Sequence, residues 1–413
     1  MGQMREMAKR ARAAARTLAV ASTEKKNDAL RRMAELLRER SGEIIAANTK
    51  DLDAGSELAG AMRDRLALDE ARVEKMAAGV EQVAGLPDPV GKLLDETARP
   101  NGMTIRKVRV PIGVIAIIYE SRPNVTADAA SLCLKSGNST ILRGGSEAIN
   151  SNLCVGKALS EALAEAGLPR DAIQVVPSTD RALVGEFLKL DGLIDVVIPR
   201  GGKGLIRRVV EEATMPVIKH YEGICHVYVD GGADLDMAER IAVNAKAQRP
   251  GVCNSMETLL VHEAVAGEFI PRVVKALGEA GVEVLGCPEA RRLVADLGRA
   301  SDDTYRTEWL GLKMSLRVVP SLDAAVEHIE THGSHHSDAI VTADAAAAKR
   351  FLDMVDSACV FHNVSTRFSD GFEFGMGAEI GISTDKLHAR GPMGLEELTS
   401  YKYVVVGDGQ VRG

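Results

Sequence analysis

The spacing of apolar positions changes near Pro111, and this change separates two kinds of predicted structure. Before it, apolar residues recur at helical spacing, so the first hundred residues predict amphipathic helices, with breaks near Gly55 and at residues 85–89, which are GLPDP. After it, short apolar runs alternate with helical segments. We therefore expect an N-terminal group of helices followed by an α/β fold.

The strands predicted in the α/β part fall into two sets. The first set is expected at residues 113–119, 139–142, 172–176 and 196–198. The second set is expected at residues 226–229, 256–262, 282–285, 316–319 and 339–342. Apolar strands joined by helices are typical of parallel sheets covered on both faces. The pattern predicts two doubly wound parallel-sheet domains, and in the first we expect a ligand beyond the carboxyl ends of the strands.

Two further segments lie outside these sets. Residues 104–110 (TIRKVRV) alternate as a half-exposed strand does, and residues 401–407 (YKYVVVG) predict a lone strand in the tail. A terminal strand without a neighbour in sequence pairs either with the 104–110 strand or with another subunit. We therefore expect a small oligomerisation appendage and a homo-oligomer, either a dimer or a tetramer.

One cysteine occupies a place suited to a nucleophile. A helix predicted at residues 235–247 is followed by residues 249–251 (RPG), which cannot continue it, and Cys253 lies on the resulting turn. Positive charge at Lys246 and Arg249 would raise the thiolate fraction. Because free cysteines are commonly small buried hydrophobes, this turn by itself leaves a structural role open.

Two glycine-containing turns, each between a strand and a helix, could bind a nucleotide. They are ILRGGSE at residues 141–147 and VIPRGGKG at residues 197–204. Free amides at a helix start can bind phosphate, although neither turn matches GxGxxG or a Walker loop. As a pair in one sheet they favour a dinucleotide, and Arg143 and Lys203 would suit a ribose 2′-phosphate.

The composition argues against several classes of binding partner. The chain has 413 residues, a formal net charge of −7 and 3% aromatic residues, so nucleic acid and anionic membrane are not expected partners. The apolar run at 110–119 is too short to span a bilayer. The six cysteines form no CxxC pair, which predicts reduced thiols and a cytoplasmic setting. The histidines at 332, 335 and 336 predict a turn, and no metal is expected.

The order of the glycine turns, the cysteine turn and EWLG at 308–311 resembles the aldehyde dehydrogenase superfamily. Within it, four segments resemble the branch that acts on L-glutamyl 5-phosphate. They are YESRPNVT at 119–126, VIPRGG at 197–202, NAKAQRPGVCN at 244–254 and EIGISTDKLHARGPMG at 379–394. The likeness covers nearly the whole chain, and the last two segments are long and rich in unusual residues.

The resemblance implies an aldehyde dehydrogenase-like fold and an activity in proline biosynthesis. The expected reaction is NADPH-dependent reduction of L-glutamyl 5-phosphate to L-glutamate 5-semialdehyde and phosphate through a cysteine thioester. Residues 1–227 would bind the cofactor, with 99–111 in an oligomerisation hairpin, and 228–375 would carry the cysteine. Residues 376–413 would return to the cofactor domain and end in an oligomerisation tail. Glutamate 5-kinase, which makes the substrate, is a partner to test.

Site residues follow from the same resemblance. Cys253 would be the nucleophile, and Asn124 would donate to the oxyanion, with Arg122 competing for that role. The residues implied for NADPH or NADP+ are Arg143, Glu147, Gly201, Gly202 and Glu308. Cationic groups should bind the polyanionic substrate, and the candidates are Arg122, Arg249, Lys386 and Arg390. Each of these four could equally be a solvated surface charge.

One departure from the superfamily pattern is informative. Members that oxidise aldehydes to acids carry a glutamate that activates water, and its place here falls on His220, with Glu222 two positions further on. An acyl-phosphate reductase needs no hydrolysis, so this loss agrees with the expected reaction. Both residues stay open as proton donors or structural groups. The alternatives are a hydrolytic dehydrogenase, a coenzyme-A-acylating reductase and a non-catalytic metabolite-binding scaffold.

Overall fold

The computed structural model describes residues 2–58 and 60–412. In chain order the helices are α1 (Gly2–Leu18), α2 (Thr23–Glu39), α3 (Ser41–Ala54), α4 (Gly60–Leu66), α5 (Glu70–Gly85), α6 (Val125–Lys135), α7 (Ile149–Glu165), α8 (Ala182–Phe187), α9 (Lys203–Glu212), α10 (Leu235–Ala247), α11 (Glu263–Glu279), α12 (Pro288–Leu293), α13 (Asp302–Tyr305), α14 (Leu322–His332) and α15 (Ala345–Met354). The strands are β1 (Leu93–Ala98), β2 (Thr104–Pro111), β3 (Val114–Tyr119), β4 (Ser139–Arg143), β5 (Ile173–Val175), β6 (Val196–Arg200), β7 (Cys225–Val229), β8 (Met256–His262), β9 (Glu283–Gly286), β10 (Gly298–Arg299), β11 (Lys313–Val319), β12 (Ser337–Val341), β13 (Cys359–His362), β14 (Gly381–Ser383), β15 (Gly391–Met393) and β16 (Thr399–Val406).

Internal contacts divide the chain into two compact units. The first comprises the chain up to Lys219, Gly375–Gly381 and the residues from Met393 onward, and the second comprises His220–Phe374 and Ile382–Pro392. The boundary expected at residue 227 would cut through β7, which belongs to the second unit. The division seen in the structure therefore falls a few residues earlier.

Helices α1–α5 form the predicted N-terminal group in the first unit. The buried face of α1 carries Met4, Met7 and Ala11, at the spacing that places side chains on one side of a helix. Ser22 caps the start of helix α2, and its side chain accepts a hydrogen bond from a backbone N–H of the first turn. Helix α3 ends at Ala54 and is capped by Gly55, where the sequence predicts a break.

The parallel sheet of the first unit has the order β5-β4-β3-β6. The chain moves outward from β3 to β5 and then crosses to β6 on the other side of β3, which is the predicted doubly wound arrangement. Every side chain of β3 is buried. The register places Ile118 opposite Arg143 and Tyr119 opposite Arg200. The carboxyl ends of β3, β4 and β6 therefore meet at one edge.

The second unit contains a parallel sheet with the order β10-β9-β11-β8-β7-β12-β13. Successive residues of its central strands pack into different apolar clusters. Val227 and Leu259 belong to one cluster, and Tyr228 and Leu260 belong to another. Because neighbouring side chains of a strand point to opposite faces, both faces of this sheet are covered. The second predicted doubly wound domain is thus confirmed.

The first unit also carries an antiparallel sheet with the order β1-β2-β16. The tail strand pairs with β2, with Tyr401 opposite Arg109, which confirms one of the two pairings expected for it. The first hundred residues are not all helical, because β1 lies within them. All six of its residues are exposed, so pairing with β2, and not burial, defines this strand. An amphipathic pattern cannot reveal a strand of that kind.

All six cysteines are free thiols, of which Cys253 and Cys154 are half-buried. Within residues 2–58 and 60–412, no helix combines the length and apolar character needed to cross a membrane.

Candidate active site

Cys253 lies half-buried on the turn between α10 and β8, as predicted for a nucleophile. The next residue, Asn254, anchors this turn. Its side-chain amide donates to the Ser369 carbonyl at 2.8 Å, and its own carbonyl accepts from Thr366 Oγ1 at 2.8 Å. The thiol is therefore held in position although it lies outside a regular element.

The surroundings of the thiol come from three neighbouring strands. Strands β8, β7 and β12 are adjacent and parallel, so their amino ends lie at the same edge of the sheet. Cys253 precedes β8, His220 and Gly223 precede β7, and His336 immediately precedes β12. The cluster thus forms at the amino ends of these strands, because the nucleophile lies on a helix-to-strand connection.

Gly223 lies against the backbone of the nucleophile. A Cβ atom at this position would lie 1.8 Å from the Cys253 carbonyl oxygen, so only glycine fits. The Gly223 N–H donates to Glu308 Oε1 at 2.8 Å. On the other side, Cys225 Sγ donates to the Cys253 carbonyl at 3.2 Å. The backbone of the cysteine turn is therefore fixed from β7.

Two histidines lie beside the thiol. One ligand atom of His220, Cys253 Sγ and one ligand atom of His336 all lie within 4.8 Å of one another. His220 Nδ1 is 2.9 Å from the Ile382 carbonyl, and His336 Nδ1 is 2.9 Å from Ser337 Oγ. Burial lowers the pKa of His336 to about 3, so its imidazole is neutral at pH 7.

Of the two histidines, only His220 is predicted near this site from the sequence. His336 is predicted to lie in a turn, and no local signal places it beside a cysteine far away along the chain. Glu222, the other residue left open as a proton donor, is half-buried two positions after His220.

The charge expected from Lys246 near the thiol is neutralised in the structure. Lys246 Nζ is 2.7 Å from Glu257 Oε2, and the two side chains are 0% and 1% exposed. Burial raises the pKa of Glu257 to about 7 and lowers the pKa of Lys246. Since Lys246 is near the end of α10 and Glu257 is on β8, the pair ties together the two elements that flank Cys253.

Arg367 supplies further positive charge next to the cysteine turn. Its Nε donates to Gln248 Oε1 at 2.9 Å, and it also donates to Asn254. Burial, followed by repulsion from Arg249, lowers the pKa of Arg367, whereas the Cys253 thiolate acts in the opposite direction. Arg249, a predicted substrate residue, is exposed on the same turn. Two guanidinium groups are therefore within electrostatic range of each other near the nucleophile.

The predicted substrate residues Lys386 and Arg390 share one carboxylate. Both pair with Asp356, and the Arg390 Nη1 to Asp356 Oδ1 distance is 2.6 Å. Hydrogen bonds from these two groups lower the pKa of Asp356 to about 2. Either cation would have to exchange this partner in order to bind a substrate anion.

A cavity of about 420 Å³ lies at the carboxyl ends of β3, β4 and β6 in the first unit, where the sequence predicts a ligand. Arg143, Arg181 and Arg208 line it together with Glu147. Burial lowers the pKa of Arg143, with a smaller contribution from repulsion by the other two arginines. A cavity with three guanidinium groups fits the phosphates of a nucleotide.

Glu147 is held over the first glycine turn. Its Oε1 accepts from the Ser121 N–H at 2.7 Å and from Ser121 Oγ at 2.6 Å. Ser121 has a φ of 40°, a left-handed conformation that is uncommon for residues other than glycine. Although burial opposes ionisation, hydrogen bonds from Ser121 and the charge of Arg143 lower the pKa of Glu147. The carboxylate is therefore ionised and oriented at the cavity.

The second glycine turn holds an anionic oxygen in the structure. The Gly202 N–H donates to Glu120 Oε2 at 2.9 Å, and a Cβ at Gly201 would lie 2.6 Å from the same carboxylate. The turn precedes α9, so its amides point at the bound oxygen as they would at a phosphate. A phosphate that binds these amides must displace Glu120.

Asn124 and Arg122 precede helix α6 in the first unit. Asn124 is half-buried, and its Nδ2 donates one hydrogen to Asp128 Oδ2 at 2.8 Å. Burial raises the pKa of Asp128 to about 6. The Asn124 amide has a second hydrogen for an oxyanion. Arg122 is exposed.

Comparison with known proteins identifies the family. The model of the aldehyde dehydrogenase family matches residues 2–284. The chain belongs to this family. It is 56% identical over 405 residues to a gamma-glutamyl phosphate reductase of Moorella thermoacetica, covering 98% of this chain and 97% of the relative. It is 55% identical to a Carboxydothermus hydrogenoformans protein of that name, over the full length of both. A crystal structure of gamma-glutamyl phosphate reductase from Thermotoga maritima is 47% identical, covers 100% of both chains and has a TM-score of 0.98.

These similarities place the chain in the gamma-glutamyl phosphate reductase branch of the aldehyde dehydrogenase family and confirm the resemblance drawn from the four sequence segments. A nicotinamide nucleotide is the cofactor of this aldehyde dehydrogenase fold. The roles of individual site residues remain predictions.

Proposed function

We propose that this protein reduces L-glutamyl 5-phosphate to L-glutamate 5-semialdehyde and phosphate, with Cys253 as the nucleophile. The observation that carries the proposal is an accessible thiol held on a turn by Asn254 and Gly223, in a chain of the gamma-glutamyl phosphate reductase branch. Two imidazoles of the second unit, those of His220 and His336, each have a nitrogen within 4.8 Å of the Cys253 sulfur. No hydrolytic base is needed for such a reaction.

Catalysis begins at Cys253. Its thiol gives its proton to the imidazole of His220, because burial prevents His336 from accepting a proton at pH 7. The thiolate attacks the acyl carbon, so that a carbon–sulfur bond forms and the carbon–oxygen bond to phosphate breaks. Inorganic phosphate leaves and a thioester remains. The guanidinium groups of Arg367 and Arg249 stabilise the thiolate and the phosphate of the substrate. Asn124 is the proposed donor to the oxyanion.

A nicotinamide bound in the first unit would supply the hydride that reduces the acyl group on Cys253. Release of the semialdehyde breaks the carbon–sulfur bond, and the proton held by the neighbouring imidazole returns to the sulfur to restore the thiol. Glu308 is the proposed partner of the nicotinamide ribose, and its carboxylate is already oriented by the Gly223 N–H. Arg143, Glu147 and the glycine turn at Gly201 and Gly202 are proposed to hold the rest of the nucleotide.

We propose NADPH over NADH because three arginines line the cavity of the first unit. A ribose 2′-phosphate adds negative charge that these guanidinium groups would bind. Replacing Arg208, which is half-buried beside the cavity, by Gln should lower kcat/KM for NADP+ by about tenfold or more and leave NAD+ nearly unchanged, since a charged hydrogen bond contributes about 1.5–3 kcal/mol. Equal losses with both nucleotides would contradict the preference.

The proposed reaction is best tested in reverse, because the acyl phosphate is unstable. The protein is mixed with glutamate 5-semialdehyde, phosphate and NADP+, and nicotinamide absorbance is followed. Phosphate-dependent reduction that is lost in Cys253→Ala is expected. Reduction without phosphate would indicate a hydrolytic dehydrogenase, and dependence on coenzyme A would indicate an acylating reductase. Nucleotide binding without any turnover, unaffected by alkylation of the thiol, would favour a scaffold.

The exposed edge of the antiparallel sheet in the first unit supports a proposal on oligomeric state. Tyr401, Tyr403 and Val405 of β16 are exposed, so the β1-β2-β16 sheet offers an apolar strand to a second subunit. We propose a homo-oligomer built on this sheet, and sedimentation of Tyr403→Lys against the parent protein tests it. A complex with glutamate 5-kinase and a cytoplasmic location stay predictions.

A further inference from the structure

Three side chains around the nucleophile form a donor set for a metal ion. His220, Cys253 and His336 each offer one ligand atom, and these atoms lie within 4.8 Å of one another. Zinc binds cysteine sulfur at about 2.3 Å and histidine nitrogen at about 2.0–2.1 Å in a tetrahedron, which places ligand atoms about 3.5 Å apart. Any two of these atoms would need to approach each other by about 1.3 Å at most. The fourth position would be open to water or an anion.

An independent observation at His336 points to a ligand. The side chain is fully buried, and its Nε2 finds no hydrogen-bond partner within residues 2–58 and 60–412. Its Nδ1 lies 2.9 Å from Ser337 Oγ. A buried polar atom without a partner is costly, and a bound ion is one of the few things that satisfies it.

The orientation of His220 follows the usual pattern of metal-binding histidines. Its Nδ1 lies 2.9 Å from the Ile382 carbonyl, which places the ring proton on Nδ1 and the lone pair on Nε2. Cys225 is close but is a poor ligand. Burial raises the pKa of its thiol well above the ordinary value, and this thiol donates to the Cys253 carbonyl.

We propose that His220, Cys253 and His336 bind a thiophilic divalent cation such as Zn²⁺, and that the bound cation reversibly inhibits the enzyme. On binding, the Cys253 thiol loses its proton to solvent, and its sulfur and the two imidazole nitrogens coordinate the cation. The thiolate is then unavailable to the acyl carbon. Mg²⁺ prefers oxygen ligands and should not bind. Binding depends on side-chain positions alone, whereas inhibition rests on the proposed role of Cys253.

Calorimetric titration of Zn²⁺ into the reduced, chelator-treated protein, without substrate or cofactor, tests binding. One cation per chain is expected, and Co²⁺ in its place should give the visible and sulfur-to-metal charge-transfer bands of a tetrahedral thiolate site. Cys253→Ala and His336→Asn should each raise Kd by at least about tenfold. If the buried His336 variant does not fold, as judged by circular dichroism, the zinc affinities of Cys253→Ala and His220→Gln still show whether the cation binds at this site.

His335→Asn is the matched control. It changes the histidine next to His336, and its φ of 57° is one that asparagine tolerates. Zinc affinity should be unchanged in this variant and in Cys154→Ala. Binding that survives both Cys253→Ala and His336→Asn would place the cation elsewhere and overturn the proposal. Binding lost in Cys253→Ala but retained in both histidine variants would also overturn it, because the thiol alone would then explain it.

Inhibition is measured in the phosphate-dependent assay. Activity should fall in parallel with zinc occupancy, return on addition of a chelator and be unaffected by the same concentration of Mg²⁺. Full occupancy without loss of activity would overturn the inhibitory role. If the metal-free protein shows no turnover, the proposed function fails, while calorimetry still decides whether the site exists.

Discussion

Gly223→Ala is expected to disable catalysis without unfolding the protein. The added methyl group would lie 1.8 Å from the Cys253 carbonyl oxygen, 2.5 Å from the carbonyl carbon and 2.6 Å from Cα. Non-bonded heavy atoms rest about 3.5 Å apart, so the two backbone segments must separate by more than about 1 Å. Both are backbone, so no side chain can rotate away to relieve the contact.

The size of the effect follows from that displacement. A shift of about 1 Å in a reacting group can cost about 100-fold in rate, so we expect kcat to fall by about that factor. The Gly223 hydrogen bond to Glu308, now 2.8 Å, should lengthen as well. The residues that line the cavity of the first unit are untouched, so the dissociation constant for NADP+ should rise by less than about tenfold, the contribution of the one hydrogen bond from Glu308.

The assay is phosphate-dependent reduction of NADP+ with glutamate 5-semialdehyde, combined with the rate of Cys253 alkylation by iodoacetamide. Gly251→Ala is the matched control, because Gly251 lies on the cysteine turn itself. The new methyl group would come no closer than 3.8 Å to another group, the Leu310 carbonyl oxygen. The control should stay within about threefold of the parent. A folded Gly223→Ala protein with near-parental kcat would refute the steric argument.

Three further predictions concern the second unit. Lys246→Met removes the ion-pair partner of the buried Glu257 carboxylate and should lower the free energy of unfolding by about 3–5 kcal/mol. Combining Lys246→Met with Glu257→Leu removes the buried charge and should recover much of that stability. The stability of each variant is measured by urea unfolding, followed by the fluorescence of Trp309, the single tryptophan. Arg367→Gln should raise KM for phosphate in the reverse assay by about tenfold, and an unchanged KM would remove it from the phosphate site. Burial lowers the pKa of His328, so below about pH 6.5 the unfolded state binds more protons than the folded state. The free energy of unfolding should therefore fall as the pH drops from 7 to 5. His328→Gln should make the free energy of unfolding less dependent on pH in this range.

Local features were predictable from the sequence because they depend on neighbouring residues. The helix before Cys253 and the strand after it occur at Leu235–Ala247 and Met256–His262, as the apolar spacing and the RPG turn predict. The nine parallel strands predicted from the sequence lie within a few residues of their expected positions, whereas the edge strands β10 and β13 of the second sheet were not predicted. Strand β1 was missed because it is wholly exposed and depends on pairing with β2.

The surroundings of the nucleophile were decided by tertiary structure. The order β8-β7-β12 brings together residues that precede three strands far apart in sequence, so His336 reaches Cys253 although no local pattern connects them. Packing likewise places Arg367 against Asn254 of the cysteine turn and pairs the Glu257 carboxylate with Lys246. Residue type and turn position therefore determine which thiol can react, whereas strand order determines which groups surround it, because side chains distant in the chain meet only when the sheet assembles.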